Sequence, residues 1–401
     1  MALSMRERQA ITREMARRYR RAGKRERGLI LDELCALTGY NRSYAARLLR
    51  SRARAPARAP ARCCRRRGRS ATYTRELLPP LRRVWATLGG ICGRRIAAVM
   101  AETLAALERF NEIELTGEQR RLLCSASAAT LDRLLAPERR RLRGRGRALT
   151  KPGSLLRSQI PVRTFAEWDQ ERPGFVEIDL VGHEGGDPRG EFAYSLCVTD
   201  VASGWTEPRV VRNRARRWTF EALLEVRSCL PFALLGIDSD NGGEFINHHL
   251  ATYCAAESIS FTRSRAYEKN DCCYVEQKNW SVIRREVGYG RYDTEAERQL
   301  VATIYADLRL YVNFFLPSVK LIAKQRTGAK VRKRYDAPAT PYRRLLALGA
   351  LDEATARRLE EEYLTLNPAA LRRRLTDNER KLARMCSLKM RNRREEVAAT
   401  G

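Results

Sequence analysis

The chain has 401 residues, of which 77 are Lys or Arg and 47 are Asp or Glu, for a formal net charge of +30. A field of that sign attracts polyanions, nucleic acid foremost, while a hydrophobic fraction of 44% excludes a chain that is disordered for most of its length. The first 150 residues hold 36 Lys+Arg against 13 Asp+Glu, which excludes a uniformly basic ribosomal or histone-like chain and predicts a basic binding front ahead of a more balanced body. Met1–Ala10 has no apolar run, and no stretch of about 18 apolar residues occurs anywhere. A soluble, cytoplasmic protein without a membrane partner is expected. Eleven cysteines without a C-x-x-C pair, and only three histidines, offer no spacing that closes a zinc tetrahedron.

Residues 5–27 read as a helix. Ile30, Leu31, Leu34 and Leu37 then space as one helical face that Gly39 closes, and Ser43 can cap a short basic helix carrying Ala46, Leu48 and Leu49. Helix, Gly turn and basic helix make a helix-turn-helix, with Arg42, Tyr44 and Arg47 as candidate DNA contacts. An Ala/Pro/Arg-rich stretch without apolar periodicity follows, with the composition of a basic linker. A second helical unit places Leu77, Leu81, Val84, Trp85 and Leu88 on one face and breaks at Gly89-Gly90. It ends in another helix-turn-helix pattern whose Ser-capped last helix carries Arg133, a further candidate contact.

From Gly174 the periodicity changes to that of strands. Residues 175–181, 192–199 and 205–211 are β-rich and separated by Gly and Asp turns. A helix over 219–229, a buried strand over 232–237, a helix over 244–257, a short strand over 259–262 and a helix over 275–287 follow. The order βββαβαβα is that of an α/β ribonuclease H-like core with a five-stranded mixed sheet, preceded by all-α units and followed by a mainly helical region. Thr294–Leu316 is an amphipathic helix ended by Pro317; beyond it Lys320–Tyr335 is dense in Lys and Arg, and Lys330 and Arg332 are candidate contacts to a DNA backbone.

Asp179 interrupts an otherwise apolar strand, where a carboxylate is costly unless something pairs with it; a divalent cation is the natural partner. Asp240 follows a buried strand and precedes an Asn241-Gly242 turn, and is preferred for that reason over Asp238, two residues earlier. Glu276 lies on the helix after a polar loop. Three such carboxylates can hold two Mg²⁺ (or Mn²⁺) ions about 3.5–4 Å apart for an in-line displacement at phosphorus. Asp200 reads as a turn residue, His183 as a surface polar residue, and Tyr194, Trp205 and Trp280 as supports of the fold.

Ser239-Asp240-Asn241-Gly242 with Phe245, and Glu276 after thirty-five intervening residues, resemble the signature of retroviral integrases and related bacterial insertion-sequence transposases, the DDE transposase/integrase superfamily. The segments 177–181, 199–207, 269–271 and 275–280 are similar to one bacterial transposase group with an integrase core. The resemblance implies a ribonuclease H-like fold, Asp179, Asp240 and Glu276 as metal ligands, 3′-end cleavage and strand transfer. The partners it implies are the terminal repeats of a mobile element and target double-stranded DNA. A homo-oligomer on that DNA, a possible helper protein and a nucleoid-associated location follow from the same likeness. Retroviral integrases place a Lys where this chain has Trp280, so the end-contacting role passes to Lys278, Arg284 or Arg285. Cys272 and Cys273 also depart from the polar or His-type residues of related transposases. The chain thus divides into a helix-turn-helix unit (1–50), linker (51–72), second helical unit (73–136), basic tether (137–170), catalytic core (171–318) and basic C-terminal region (319–401). The alternative function is an inactive, transposase-derived DNA-binding regulator.

Overall fold

The computed structural model of the protein describes residues 5–53, 72–142, 172–239, 245, 248–263, 273–327 and 330–400. These fall into two compact units, Met1–Thr72 and Tyr73–Gly401.

The first unit is three helices, α1 (Met5–Arg21), α2 (Lys24–Thr38) and α3 (Arg42–Ala53). Tyr19 and Met15 of α1, Ile30, Leu31 and Leu34 of α2, and Ala45 and Leu49 of α3 close one small core. Gly39 ends α2 with φ 70 and donates its N–H to the Cys35 carbonyl at 2.9 Å, a left-handed C-cap that a side chain would strain. Two expectations are corrected here. The cap of α3 is Asn41, whose Oδ1 accepts the Ser43 N–H at 2.9 Å, so Ser43 is inside the helix rather than ahead of it. Leu37 is 49% exposed, because the buried stripe of α2 runs through Leu34 to Thr38, whose hydroxyl returns to the Leu34 carbonyl.

The second unit begins with α4 (Leu78–Thr87), α5 (Gly93–Arg109), α6 (Gly117–Ser125) and α7 (Ala128–Leu142). Leu81, Val84, Leu88, Ile96, Met100, Leu104, Leu131 and Leu135 share one core. Asp132 of α7 caps α5 by accepting the Gly93 N–H at 2.7 Å, an approach so close that a Cβ at Gly93 would sit 2.3 Å from the Ala128 carbonyl oxygen. Thr116 and Gln119 form a capping box on α6, and Ser127 accepts the Thr130 N–H at the start of α7.

A five-stranded sheet follows: β1 (Phe175–Gly182), β2 (Tyr194–Asp200), β3 (Thr206–Val211), β4 (Gly236–Ser239) and β5 (Ser260–Arg263), in the order β3-β2-β1-β4-β5. β1–β2 and β2–β3 are antiparallel, β1–β4 and β4–β5 parallel. This is the mixed ribonuclease H-like arrangement expected from the element order. The period of two sorts the side chains. Val176, Ile178, Leu196, Val198 and Ile237 pack with α8 (Arg216–Cys229) and α9 (His248–Ala256). On the opposite face Val181 and Cys197 pack with a helix that starts at Cys273 and with α12 (Glu295–Phe315). The Asn313 side-chain amide donates to the Thr206 carbonyl and accepts the Thr206 N–H, both at 2.9 Å, so α12 occupies the backbone of Thr206 at the start of the edge strand β3.

That starting helix is not uniform. It comprises α10 (Cys273–Lys278), a π-helical turn over Asn279–Arg284, and α11 (Arg285–Val287). The wide turn is an addition to the plain helix expected over 275–287, and such insertions gather at functional sites. The basic stretch after Pro317, for which no strands were expected, is an antiparallel ribbon, β6 (Leu321–Thr327) and β7 (Lys330–Tyr335); the helices expected in the mainly helical C-terminal region follow as α13 (Pro341–Leu348), α14 (Glu353–Thr365) and α15 (Pro368–Thr400).

α15 clasps α11 through charge. Arg372 donates to Glu286 and to Glu379, each at 2.7 Å. Burial and the adjacent Glu286 push Glu379 up from 4.5 to about 8. Burial alone would raise Glu286, but the hydrogen bond from Glu379 and the Arg372 charge outweigh it and hold Glu286 below its ordinary value. The folded chain therefore binds the Glu379 proton more tightly than the unfolded chain. Its stabilising contribution is present below 4.5 and fades as pH rises through 8. The urea midpoint is expected to climb as pH is lowered from 8 to 6.5, below which a histidine kept neutral by burial pulls the other way, and Glu379→Gln to flatten that climb; an unchanged slope in the variant would refute the shared proton.

Candidate active site

Glu177 and Asp179 lie two apart on β1 and so face the same way. Both reach the helix that covers that face. Glu177 is fully buried, and its Oε2 accepts the Val275 N–H at 2.9 Å, pinning the start of α10 to the sheet. The Asn279 side-chain amide donates to Asp179 Oδ2 at 2.5 Å, while Asp179 Oδ1 accepts the N–H of Leu180 at 2.7 Å. Asp179 itself is half-buried. Cys197, directly opposite Asp179 on β2, is fully buried, and burial pushes its thiol up to about 12, so it presents no charge to the carboxylate.

Of the three expected carboxylates, Asp179 is therefore at mid-strand beneath the helix that carries Glu276. Glu276 belongs to α10, one helical turn before Asn279, and its side chain lies outside the described residues. Asp240 also lies outside them; its neighbour Ser239 ends β4 and pairs with Ile178, the residue before Asp179. Asp238, the rejected alternative, is buried and accepts the Thr262 hydroxyl at 2.7 Å. Asp200 holds a turn: it accepts from the Gly174 N–H and from the N–H and hydroxyl of Ser203.

His183 is not on the surface. It is fully buried, and its Nε2 shares a hydrogen bond of 2.6 Å with Ser195, which meets Tyr305 at 2.5 Å. Burial, with the nearby Arg284 charge, lowers it to about 3, so it stays neutral as a structural strut. Trp280 is corrected in the opposite sense. Expected as a support of the fold, it is 65% exposed, four residues along the helix from Glu276, whereas Trp205 is buried against Phe314 at a ring distance of 5.6 Å.

The candidate DNA contacts separate into several groups. Tyr44 and Arg47 form an exposed pair on α3, the guanidinium 5.5 Å from the ring, while Arg42 is ion-paired to Asp32. Arg133 is exposed on α7, and Arg332 is exposed on β7, where Lys330 starts the strand. Arg284 is half-buried and engaged by the Gly182 carbonyl at 2.7 Å and the exposed Tyr289 ring at 4.8 Å. Lys278 donates to the Gly204 carbonyl at 3.1 Å; burial, with Arg95 and Arg344 near, lowers it to about 8 despite Cys197. Arg285 is exposed and reaches back to the Gly89 carbonyl. Asn279, which the integrase resemblance matches to an Asn but which was not counted among the candidate site residues, reaches Asp179 from three residues after Glu276.

Fold and site together define a ribonuclease H-like chain with a carboxylate at mid-strand beneath an acid-bearing helix. No family model matches it. It is 39% identical over 342 residues to the uncharacterized protein y4rM of Sinorhizobium fredii (strain NBRC 101917 / NGR234), an alignment covering 85% of this chain and 96% of that one, and it belongs to that protein's family. Among solved structures it is similar to the HTLV-2 integrase catalytic core in complex with magnesium (16% identity, 37% of this chain and 91% of that one, TM-score 0.28). It is also similar to the BIV integrase core (17% identity, 43% and 94%, TM-score 0.30). Among the described residues, no helix is long and apolar enough to cross a membrane.

Proposed function

We propose that the chain is a metal-dependent enzyme that cuts and joins DNA, a DDE-type transposase or integrase. In this reading it binds the terminal repeats of a mobile element, cleaves the 3′ ends and transfers them into target DNA. The observation that carries the reading is the Asn279–Asp179 hydrogen bond, because it holds the helix bearing Glu276 against the strand bearing Asp179. The pairing of Ser239 with Ile178 supports Asp240 as the third member.

The donor set suits a hard divalent cation: Asp179 is a half-buried carboxylate, and carboxylate oxygen is the ligand such a cation prefers. Two Mg²⁺ or Mn²⁺ ions bound by Asp179, Asp240 and Glu276 would activate the attacking oxygen and stabilise the leaving one. Asn279 orients the Asp179 carboxylate, and Glu177 anchors the helix. Tyr44 and Arg47 on α3, Arg133 on α7, and Lys330 and Arg332 on β7 supply DNA affinity, with assembly as a dimer or tetramer on the repeats. The nucleophile is water in the first step and a 3′-hydroxyl in the second, so no covalent protein–DNA intermediate forms.

Incubation with Mn²⁺ and a duplex bearing the element's end is expected to yield cleaved and strand-transfer products; binding without cleavage would point to the regulator instead. Asn279→Ala is expected to lower activity and apparent Mn²⁺ affinity together by about 10–100-fold, the usual loss when a residue that orients a metal ligand is removed. A Mn²⁺ titration of the cleavage rate checks this, and an unaltered metal dependence would remove Asn279 from the role.

A further inference from the structure

A cavity of about 120 Å³ opens behind the face of the helix that carries Glu276, walled by the helical front, the turn after β2 and the segment after α12. Four cationic side chains line it: Arg95 from α5, Lys278 and Arg285 from the helix, and Lys320. Each also holds a backbone carbonyl. Arg95 donates to Pro317 at 2.5 Å, Lys278 to Gly204 at 3.1 Å, Lys320 to Ala202 at 2.8 Å, and Arg285 to Gly89. Those bonds set the heads in place, and a guanidinium has five N–H donors, so Arg95 and Arg285, each bonded to one carbonyl, keep donors for a ligand. Ser281 and Ser318 add hydroxyls to the wall, and among the described residues no carboxylate lines it. The nearest acids are engaged elsewhere: Glu286 is 3.9 Å from Arg285 but bonded to Arg372, and Asp200, which feels Lys320, accepts from Gly174 and Ser203.

Like charges gathered in a partly desolvated space repel, and the Arg95 guanidinium registers it: burial and the Arg285 charge lower it from its ordinary value although Cys92 opposes them. An oxyanion relieves that repulsion and matches the forked donors of the two arginines. We propose that the cavity is a phosphate-binding site whose ligand is a phosphodiester of DNA, gripped between the helical front and the helix that carries Glu276. That the site takes a phosphate rests on the cavity alone; that the phosphate belongs to DNA rests on the function proposed above.

Thermal unfolding of the full chain in millimolar sodium phosphate, against sodium chloride at equal ionic strength, tests the site without any need for activity. Phosphate is expected to raise the unfolding temperature of the unmodified chain, and Arg95→Gln with Lys320→Gln to lose most of that shift. An equal shift in both proteins would mean a general salt effect and overturn the site. Arg95→Lys, which keeps the charge, serves as the folded reference and is expected to retain part of the shift. Binding of a duplex across a salt series then identifies the source. Loss of phosphate contacts should shrink the slope of log K on log salt by about 0.9 for each contact. A phosphate shift lost without any change in slope would overturn the assignment to DNA and leave a free anion as the ligand.

Discussion

Asp240→Asn is expected to abolish cleavage and strand transfer, with a loss of about 10³-fold or more, while leaving duplex binding within about twofold. A carboxylate-held metal would contribute several kcal/mol to the transition state, and each 1.36 kcal/mol is a factor of about ten. An uncharged amide keeps the shape but not the charge that would hold a cation. On the proposed reading DNA affinity comes from basic side chains away from the carboxylates, which the change does not touch. The same logic makes the activity depend on free metal: chelation should stop it and Mg²⁺ or Mn²⁺ restore it, as gel-resolved products of a labelled duplex would record. Retained strand transfer in Asp240→Asn would sink the proposed mechanism, and Asp179→Asn and Glu276→Gln should fail in the same way.

The largest effect on stability is expected from Arg309→Met. Glu207 on β3 is fully buried; it accepts the Trp205 indole N–H at 2.9 Å, the Arg309 Nε at 2.7 Å and an Arg209 N–H at 3.2 Å. Removing one partner of a buried ion pair strands the other charge, at a cost of about 3–5 kcal/mol. Arg209 remains, which places the expected loss at the lower end of that range. Even so, it is a sizeable part of the roughly 5–15 kcal/mol that holds a domain folded. Arg374, paired to Asp307 at 2.6 Å but 54% exposed, is the control: Arg374→Met should cost no more than about 1 kcal/mol. Urea midpoints of the two variants decide it, and equal losses would mean that Glu207 is not the buried keystone of β3.

Much of the core was legible because its signals are local. The alternation over 175–181 gave β1, and the amphipathic spacing with Pro317 bounded α12 within a residue. The ribbon β6–β7 was not legible. Its described side chains are exposed on both faces, so apolar and polar residues do not alternate with burial, and a basic loop has the same composition. His183 was misread for the complementary reason: a polar residue announces no burial, and what makes it tolerable is Ser195, 12 residues on, which in turn bonds Tyr305 a further 110 residues along.

By itself the sequence determined the basic front, the order of strands and helices in the core, and Asp179, Asp240 and Glu276 as the acids to consider, since composition, period and spacing are properties of short windows. Only the tertiary structure decided which face of β1 the acid-bearing helix covers. Glu177 and Asp179 accept from Val275 and Asn279, about a hundred residues away, and no local pattern encodes such contacts. The tertiary structure likewise turned Trp280 outward, drew Lys278 and Arg284 in, and gathered Arg95, Lys278, Arg285 and Lys320 around one cavity. Each of those outcomes depends on which distant surface packs against the residue, and packing is settled only when the whole unit closes.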